Sequence, residues 1–259
     1  MSEIAQTRWA WAGASVTGHS HLGRGEACQD SASFHVHASA CGPVAVAAVC
    51  DGMGSASRSK AGSWLAAIRI QKIVAAYFAD GGTVGGIDHT AVARFLAPLH
   101  AALAARAAEI RCTIRDLSTT LSLAVVGQDL AHVIQVGDSA CVLRCDGEWK
   151  VPVWPMNGEY ANLTYSVTGF PKVPVGFATI CGAVTHIAAF SDGLADLVLD
   201  RPSRSAFAPF FEGLFGGAQL VAPCGRNRAV TADLAGYLDS ASARERSEDD
   251  KTLILAARV

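Results

Sequence analysis

A run of small and β-branched apolar residues at 44–50 ends abruptly in an acid, Asp51, which is followed by Gly52, Met53 and Gly54. Short apolar runs bounded by glycine are typical of buried strands, so this stretch predicts a strand that places a carboxylate at the rim of a sheet. The glycine allows backbone to pass close to whatever the carboxylate binds. Asp-Gly is also a common turn dipeptide, and this stretch taken alone favours an ordinary β-turn.

The same arrangement recurs along the chain. Four other acids adjoin predicted strands: Asp30 before 31–37, Asp138 after 130–136, Asp192 after 183–190 and Asp249 before 252–257. Carboxylates that share one rim repel each other unless a cation compensates their charge. Oxygen ligands without a Cys or His pattern suit Mg²⁺ or Mn²⁺ rather than zinc. Such a rim is suited to hydrolysis at phosphorus, with paired metal ions roughly 3.5–4 Å apart.

The order of the predicted elements indicates the fold class. Strands come first, then two helices, a second group of strands, further helices and a last strand. The predicted strands lie at 9–16, 31–37, 44–50, 119–126, 130–136, 140–145, 149–153, 183–190 and 252–257, and the helices at 57–80, 88–110, 192–198, 205–214 and 226–238. Hairpin-like links favour antiparallel sheets, and this block order favours a layered α+β sandwich. Because no linker or repeat interrupts the 259 residues, we expect a single domain over 1–259.

Both long predicted helices carry apolar residues at helical spacing, which we expect to face the core. In the first helix this stripe is Ala61, Trp64, Leu65, Ile68, Ala75 and Phe78. In the second it is Val92, Phe95, Leu96, Leu99 and Leu103. The segment at 154–174 shows neither the helical nor the strand spacing of apolar residues, so it predicts a long irregular loop. Long ordered loops are often functional.

Composition excludes several classes of function. A net charge of −2 does not suit a general nucleic-acid-binding protein. No long apolar run predicts a membrane span, and the first residues lack the pattern of a signal peptide. The eight cysteines include no Cys-x-x-Cys pair. They are expected to be reduced and mostly buried, as in a cytoplasmic protein.

Four short motifs carry a resemblance to a known family. They are Asp51-Gly52-Met53-Gly54, Gly137-Asp138-Ser139, Ser191-Asp192-Gly193 and Asp249-Asp250-Lys251-Thr252. In order and spacing they resemble the metal-dependent protein serine/threonine phosphatases of the 2C type (the PPM family), from about residue 9 to 257. Cys28-Gln29-Asp30 and the segment 158–162 are similar to the compact bacterial variant. The resemblance implies a four-layer α-β-β-α sandwich, in which helices flank two central antiparallel sheets.

The resemblance also implies a role for each acid. Asp51 would bridge two Mn²⁺ or Mg²⁺ ions, and the carbonyl of Gly52 would complete one shell. Asp192 and Asp249 would hold the other ion, directly or through water. Asp30 would act from the outer shell by orienting metal-bound waters. A third, weaker site would comprise Asp138, Asp192 and Asp196, although Asp196 also suits an ordinary solvated helix acid. Phosphoserine and phosphothreonine in proteins would be hydrolysed by in-line attack of a metal-bridging hydroxide. Asp250 is expected to be exposed and not to bind metal.

The chain departs from the family at two positions. Gln29 stands where the family usually has Glu, which removes one negative charge beside the metals. Gly25 stands where the family usually has an Arg that binds the substrate phosphate. Arg24 is our candidate for that role because a guanidinium suits bidentate contact with phosphate, and the alternative is a solvated loop Arg. His21 is a second candidate, as a general acid, against a structural histidine.

Three functions remain open at this point. The first is a protein phosphatase, whose partners would be phosphoproteins and a cognate serine/threonine kinase. The second is a catalytically weak domain of the same fold that binds phosphoproteins, which Gln29 and Gly25 favour. The third is a hydrolase of small phosphoesters. Glu159 and Asn162 lie where relatives carry a flap beside the active site, and they suit either substrate recognition or an Asn-Gly turn.

Overall fold

The computed structural model describes residues 8–156, 164–217 and 224–259. Its strands are β1 Trp9–Val16, β2 Ser31–His37, β3 Val44–Cys50, β4 Leu121–Val126, β5 Leu130–Val136, β6 Ala140–Cys145, β7 Glu148–Lys150, β8 Gly176–Cys181, β9 Val184–Phe190, β10 Leu199–Asp200, β11 Ser205–Ala206, β12 Gly225–Arg226 and β13 Lys251–Arg258. Its α-helices are α1 His19–Gly23, α2 Ser59–Ala79, α3 His89–Glu109, α4 Ala195–Val198, α5 Ala208–Gly217, α6 Arg228–Leu238 and α7 Ala241–Arg244. Short 3₁₀ turns lie at Val84–Gly86, Ile114–Leu117, Val167–Gly169 and Asp192–Leu194.

Two sheets form the centre of the molecule. The five-stranded sheet has the order β2-β3-β4-β5-β8 and is antiparallel throughout. The six-stranded sheet has the order β12-β1-β13-β9-β6-β7, and only the short β1–β12 pair in it is parallel. The predicted antiparallel sheets are therefore confirmed, with one parallel pair at an edge that the sequence did not indicate.

Three clusters of buried apolar residues separate four layers. One cluster lies between the five-stranded sheet and α2 with α3, and a second lies between the two sheets. The third lies between the six-stranded sheet and α4, α5 and α6. Strands with apolar surface on both sides, such as β3, are fully buried because each face packs on another layer. The predicted α-β-β-α sandwich is confirmed.

The predicted apolar stripe of α2 is confirmed at Phe78, Ala61 and Leu65 but wrong at Trp64, whereas that of α3 is buried as expected. Trp64 is 60% exposed, and α2 instead packs through residues that include Ala67, Ile70 and Val74. Polar groups explain this rotation, because Ser63 donates to the carbonyl of Gln29. Farther along the same face, the amide of Gln71 donates to the carbonyl of Val46 at 3.0 Å. A buried polar group needs such partners, and hydrophobic periodicity does not detect them.

Several element boundaries also differ from the sequence prediction. The predicted loop at 17–27 contains the short helix α1. The edge strand β8 was missed, and its side chains are mostly half-exposed and lack a buried apolar run. The helix predicted at 205–214 starts only at Ala208, after the β10–β11 pair. Among the helices of the described ranges, none has the length and apolar character that a bilayer span requires.

Candidate active site

The acids that adjoin strands lie at one end of the sandwich. Ser31 of β2 pairs with Cys50 of β3, which places Asp30 and Asp51 on neighbouring strands at the same rim. In the other sheet, Leu253 of β13 pairs with Phe190 of β9, so that Asp249 and Asp192 adjoin this rim as well. Asp138 follows β5, and its charge acts on Asp192. The structure thus brings together the five acids that the strand ends predict.

Burial and mutual repulsion dominate the electrostatics of the rim. Burial raises the pKa of Asp51 well above its ordinary value, and the charges of Asp30, Asp192 and Asp249 raise it further. Burial also raises the pKa of Asp30 to about 7, with a contribution from the charge of Asp250. The pKa of Asp192 is raised to about 6, first by burial and then by neighbouring acids. Without compensating positive charge, these carboxylates retain protons at a pH where a free Asp is ionised.

Three oxygen atoms on the rim are buried and unpartnered within the described ranges. They are both carboxylate oxygens of Asp30 and Oδ1 of Asp192. The hydroxyls of Ser191 and Thr252 lie near Asp30 and offset part of the rise in its pKa. They are not oriented to form a hydrogen bond with either carboxylate oxygen. Buried polar atoms normally have partners, so an orphaned carboxylate points to a missing ligand.

The donor set suits a hard divalent cation. Carboxylates and backbone carbonyls at this rim provide oxygen ligands of the kind that Mg²⁺ and Mn²⁺ prefer. In residues 8–156, 164–217 and 224–259, no three Asp, Glu, His or Cys side chains already surround one point as metal ligands do. The fit therefore rests on the chemistry of the donors and on the three orphaned oxygens.

Gly52 allows the loop before β2 to approach Asp51. A Cβ atom at this position would lie 2.5 Å from the carbonyl oxygen of Gln29 and 2.9 Å from Cβ of Ser59. Any larger residue would push apart the segments that carry Asp30 and Asp51. The neighbouring Gln29 accepts a hydrogen bond from the hydroxyl of Ser59 through Oε1, at 2.5 Å. Gln29 therefore joins the segment of Asp30 to α2 without adding negative charge.

Asp138 and Asp196 have different environments. Asp138 is largely buried, which raises its pKa, and it accepts a hydrogen bond from Thr164 at 2.7 Å. The side chain of Asp196 is 69% exposed and pairs with Arg201 at 2.7 Å. The structure thus groups Asp138 with the rim acids and places Asp196 in a solvated ion pair. The predicted metal role of Asp196 remains a prediction.

The expectation that Asp250 is exposed is wrong, because it is 2% exposed. Its carboxylate accepts hydrogen bonds from the backbone N–H of Gly18 at 2.7 Å and of Gln29 at 2.6 Å. Nδ1 of His21 lies 2.9 Å away, at ion-pair distance. These contacts, which we call the Asp250 clip, fasten both ends of the segment 18–29 to the start of β13. The backbone donors of this segment find no strand partner there and require an acceptor.

The two candidate phosphate residues have partners of their own. His21 is 5% exposed and lies between Asp250 and Glu26, which favours the structural alternative over a general acid. The Arg24 side chain is 55% exposed, and its Nε donates to Glu26 at 3.0 Å. The other candidates, Glu159 and Asn162, lie outside the described residues.

Lys251 is a rim residue that sequence reasoning did not select. Its Nζ donates to the carbonyl of Asp249 at 2.9 Å, and burial lowers its pKa. The side chain is almost fully buried, which is rare for lysine unless acids surround it. The signal in the sequence was a lysine at the start of an apolar strand, directly after two acids. Lys251 therefore supplies one fixed positive charge beside Asp249 and Asp250.

Comparison with known proteins identifies the family. Residues 17–239 match the family profile described as Protein phosphatase 2C. The chain belongs to the protein phosphatase 2C family. It is 30% identical over 256 residues to serine/threonine-protein phosphatase 3 of Escherichia coli K12, a match that covers 96% of this chain and 98% of the relative. It is therefore a protein serine/threonine phosphatase, and its family depends on metal ions.

Solved structures of this phosphatase family share the fold. The catalytic domain of the serine/threonine phosphatase PstP, solved with 2 manganese ions, is 23% identical with a TM-score of 0.57, and the match covers 98% of this chain and 99% of that one. PppA of Pseudomonas aeruginosa is 16% identical with a TM-score of 0.62, with coverage of 97% and 98%. Stp1 of Staphylococcus aureus is 16% identical with a TM-score of 0.60, with coverage of 95% and 94%.

The raised pKa values predict how pH affects the phosphatase without metal. Asp30 and Asp192 bind more protons in the folded state than in the unfolded state, from about pH 4 to about pH 7. The free energy of unfolding therefore falls as pH rises through this window, by about 1.4 kcal/mol per pH unit for each excess proton. Thermal melting in EDTA from pH 5 to 8 should show a steeper fall for the wild type than for Asp30→Asn.

Histidines with lowered pKa values, such as His186, make the free energy of unfolding rise with pH and so act in the opposite direction. Because both proteins contain these histidines, their contribution cancels when the wild type is compared with Asp30→Asn. Mn²⁺ at the same pH values should flatten the wild-type curve, because cations replace protons as the compensating charge. Identical slopes for the two proteins in EDTA would show that Asp30 does not carry this repulsion.

The Asp250 clip predicts a large loss of stability in Asp250→Ala. Removal of this carboxylate leaves two backbone N–H groups without their acceptor and takes away the ion-pair partner of His21, which costs about 3–5 kcal/mol. The matched control is Asp239→Ala, whose side chain is 50% exposed and pairs with Arg244. Surface pairs of this kind contribute less than about 1 kcal/mol. Urea unfolding in EDTA measures the free energy of unfolding of both variants. An equal loss of stability in Asp250→Ala and Asp239→Ala would contradict a structural role for the clip.

Proposed function

We propose that this phosphatase removes phosphate from phosphoserine and phosphothreonine in proteins at the acidic rim, acting as a single catalytic domain over residues 1–259. The observation that carries the proposal is the cluster of buried and half-buried carboxylates with raised pKa values and orphaned oxygens. Carboxylates that repel each other in this way are typical of functional sites, where the chemistry requires them. Two Mn²⁺ or Mg²⁺ ions are the proposed cofactors, with a third ion bound more weakly.

Each rim residue has a proposed task. Asp51 and the carbonyl of Gly52 would bind the ions, together with Asp192 and Asp249. Asp30 would orient water from outside the ligand set, and Asp138 with Asp196 would hold the weaker third ion. When bound, divalent cations offset the charge of the phosphate oxygens and activate water for attack on phosphorus.

The rest of the chain supports this arrangement from outside. The Asp250 clip positions the segment 18–29, which carries Asp30 to the rim. Ser59 binds Gln29 and thereby fixes that segment against α2. Arg24 lies at the end of α1 in the same segment, with an exposed guanidinium that suits a phosphate. A cognate kinase and its phosphorylated targets are the proposed partners, in the cytoplasm.

A second candidate is a catalytically weak domain that binds phosphoproteins. The observation that favours it is the neutral Gln29, whose side chain contacts Ser59 instead of adding charge to the metal site. The retention of Asp51 and Asp192 argues against it, because half-buried acids that repel their neighbours are costly without a function.

Hydrolysis of a phosphothreonine peptide with and without Mn²⁺ tests the proposed function. Asp51→Asn should reduce metal-dependent turnover on the order of 100-fold or more, since it removes a charged oxygen that would bind the ions. The fold should survive, because the change is isosteric and relieves repulsion. Asp239→Asn, a neutralised surface acid, should retain full turnover. If the wild type bound and hydrolysed the peptide equally well without metal, the two-metal site would be refuted. Full activity of Asp51→Asn would refute the assignment of the acidic rim as the active site.

Arg24→Ala tests the proposed phosphate contact. We expect the KM for a phosphothreonine peptide to rise several-fold with little change in kcat, because the guanidinium binds the phosphate group before and during reaction. Arg94→Ala removes an exposed arginine from α3 and serves as the control. An unchanged KM in Arg24→Ala would assign the phosphate contact to another group.

A further inference from the structure

Trp64 on α2 is an exposed aromatic residue close to the acidic rim. With 60% of its surface accessible, it is the most exposed large apolar side chain in the described ranges. The helix that carries it begins at Ser59, whose hydroxyl binds Gln29 next to Asp30. A helix rises 1.5 Å per residue, so Trp64 lies only about 7.5 Å along α2 from this contact.

Trp64 lines a shallow groove that leads toward the rim. The groove has a volume of about 420 Å³, and we call it the Trp64 groove; its lining residues are Ser31, Ser57, Arg58, Lys60, Ala61 and Trp64. Ser31 follows Asp30 directly, so the groove begins one residue away from an acid of the proposed metal site. Its walls are firmly held, because Ser63 of α2 donates to the carbonyl of Gln29 and contacts the hydroxyl of Ser31.

The groove carries positive charge beside an otherwise negative rim. Arg58 and Lys60 are both exposed. Within the described ranges, neither side chain forms an ion pair with an acid. Hydrogen bonds from Thr113 and Ser57 lower the pKa of Asp116, and the charge of Arg58 adds to this shift without forming an ion pair. The two cations are therefore available to an anionic partner.

We propose that the Trp64 groove binds the substrate polypeptide beside the phosphorylated residue and selects segments that carry acidic side chains there. This inference rests on the proposed function and specifies its substrate class. An extended chain advances about 3.3 Å per residue, so the rise of about 7.5 Å from Ser59 to Trp64 corresponds to about two residues, and we assign to the groove the positions about two to four residues from the phosphate. Arg58 and Lys60 attract the acids, and the face of Trp64 provides apolar contact for the chain.

The rest of the rim reinforces this selection. Asp30, Asp51, Asp138, Asp192 and Asp249 repel an acidic peptide wherever no cation covers them. An acidic segment is therefore favoured where it leaves the metal site along α2. Such charge complementarity fixes orientation and partner choice more than it raises affinity.

Paired phosphothreonine peptides test the proposal. Two peptides of equal length carry either Glu or Gln at positions two to four residues from the phosphothreonine, on both sides. We expect wild-type kcat/KM to be about fivefold to tenfold higher for the Glu peptide, and this ratio should fall at high salt. In Arg58→Gln, Lys60→Gln and Trp64→Ala the ratio should move toward one.

Matched variants separate the groove from general effects of charge and hydrophobicity. Lys72→Gln removes an exposed cation farther along α2, and Phe207→Ala removes an aromatic side chain that is 50% exposed elsewhere. Both should keep the wild-type Glu-to-Gln ratio. A ratio near one in the wild type, or a ratio that survives all three groove variants, would overturn the proposal.

A binding measurement distinguishes failure of the groove from failure of the phosphatase assignment. The same two peptides, fluorescently labelled, are titrated with each protein in EDTA and followed by anisotropy, so no turnover is needed. Tighter binding of the Glu peptide by the wild type, lost in the groove variants, supports the groove even if hydrolysis fails. Turnover of a small aryl phosphate with Mn²⁺, together with equal binding of both peptides, supports the phosphatase assignment and overturns the groove.

Discussion

Repulsion between buried carboxylates is the constraint on which the rest of this structure depends. Asp30, Asp51 and Asp192 are held together at the ends of strands from both sheets, where burial and like charge raise their pKa values. A loose scaffold would let these side chains separate into water. The four-layer sandwich prevents this separation because β3 and β9, which carry Asp51 and Asp192, are packed on both faces.

Polar contacts within the scaffold resist the same repulsion. The Asp250 clip ties the segment 18–29 to β13, and Ser59 and Ser63 tie its far end to α2. Each of these contacts uses a buried or half-buried polar group that has its partner in a different element. Such groups specify one arrangement of the elements, since any displacement leaves a donor or acceptor unsatisfied.

The sequence predicted the central strands and the rim acids because both depend on local patterns. Strands such as β3 are continuous apolar runs, and the acids stand directly at strand ends. The burial of Asp250 could not be predicted in this way, because its donors Gly18 and Gln29 are more than 200 residues away in the chain. The buried face of α2 escaped prediction since Ser63 and Gln71, which are polar, form part of it. The edge strand β8 depends on pairing with β5 and carries little local signal.

The position of β13 has a consequence for how the molecule is assembled during synthesis. This strand lies between β1 and β9 in the six-stranded sheet, although it follows both in the chain. The two acids that precede it, Asp249 and Asp250, therefore reach the rim only after every other described element has been translated. A nascent or prematurely terminated polypeptide lacks both the middle of one sheet and part of its acid cluster. If the proposed site is correct, hydrolytic activity requires the completed sheet, so an unfinished chain would not act on phosphoproteins.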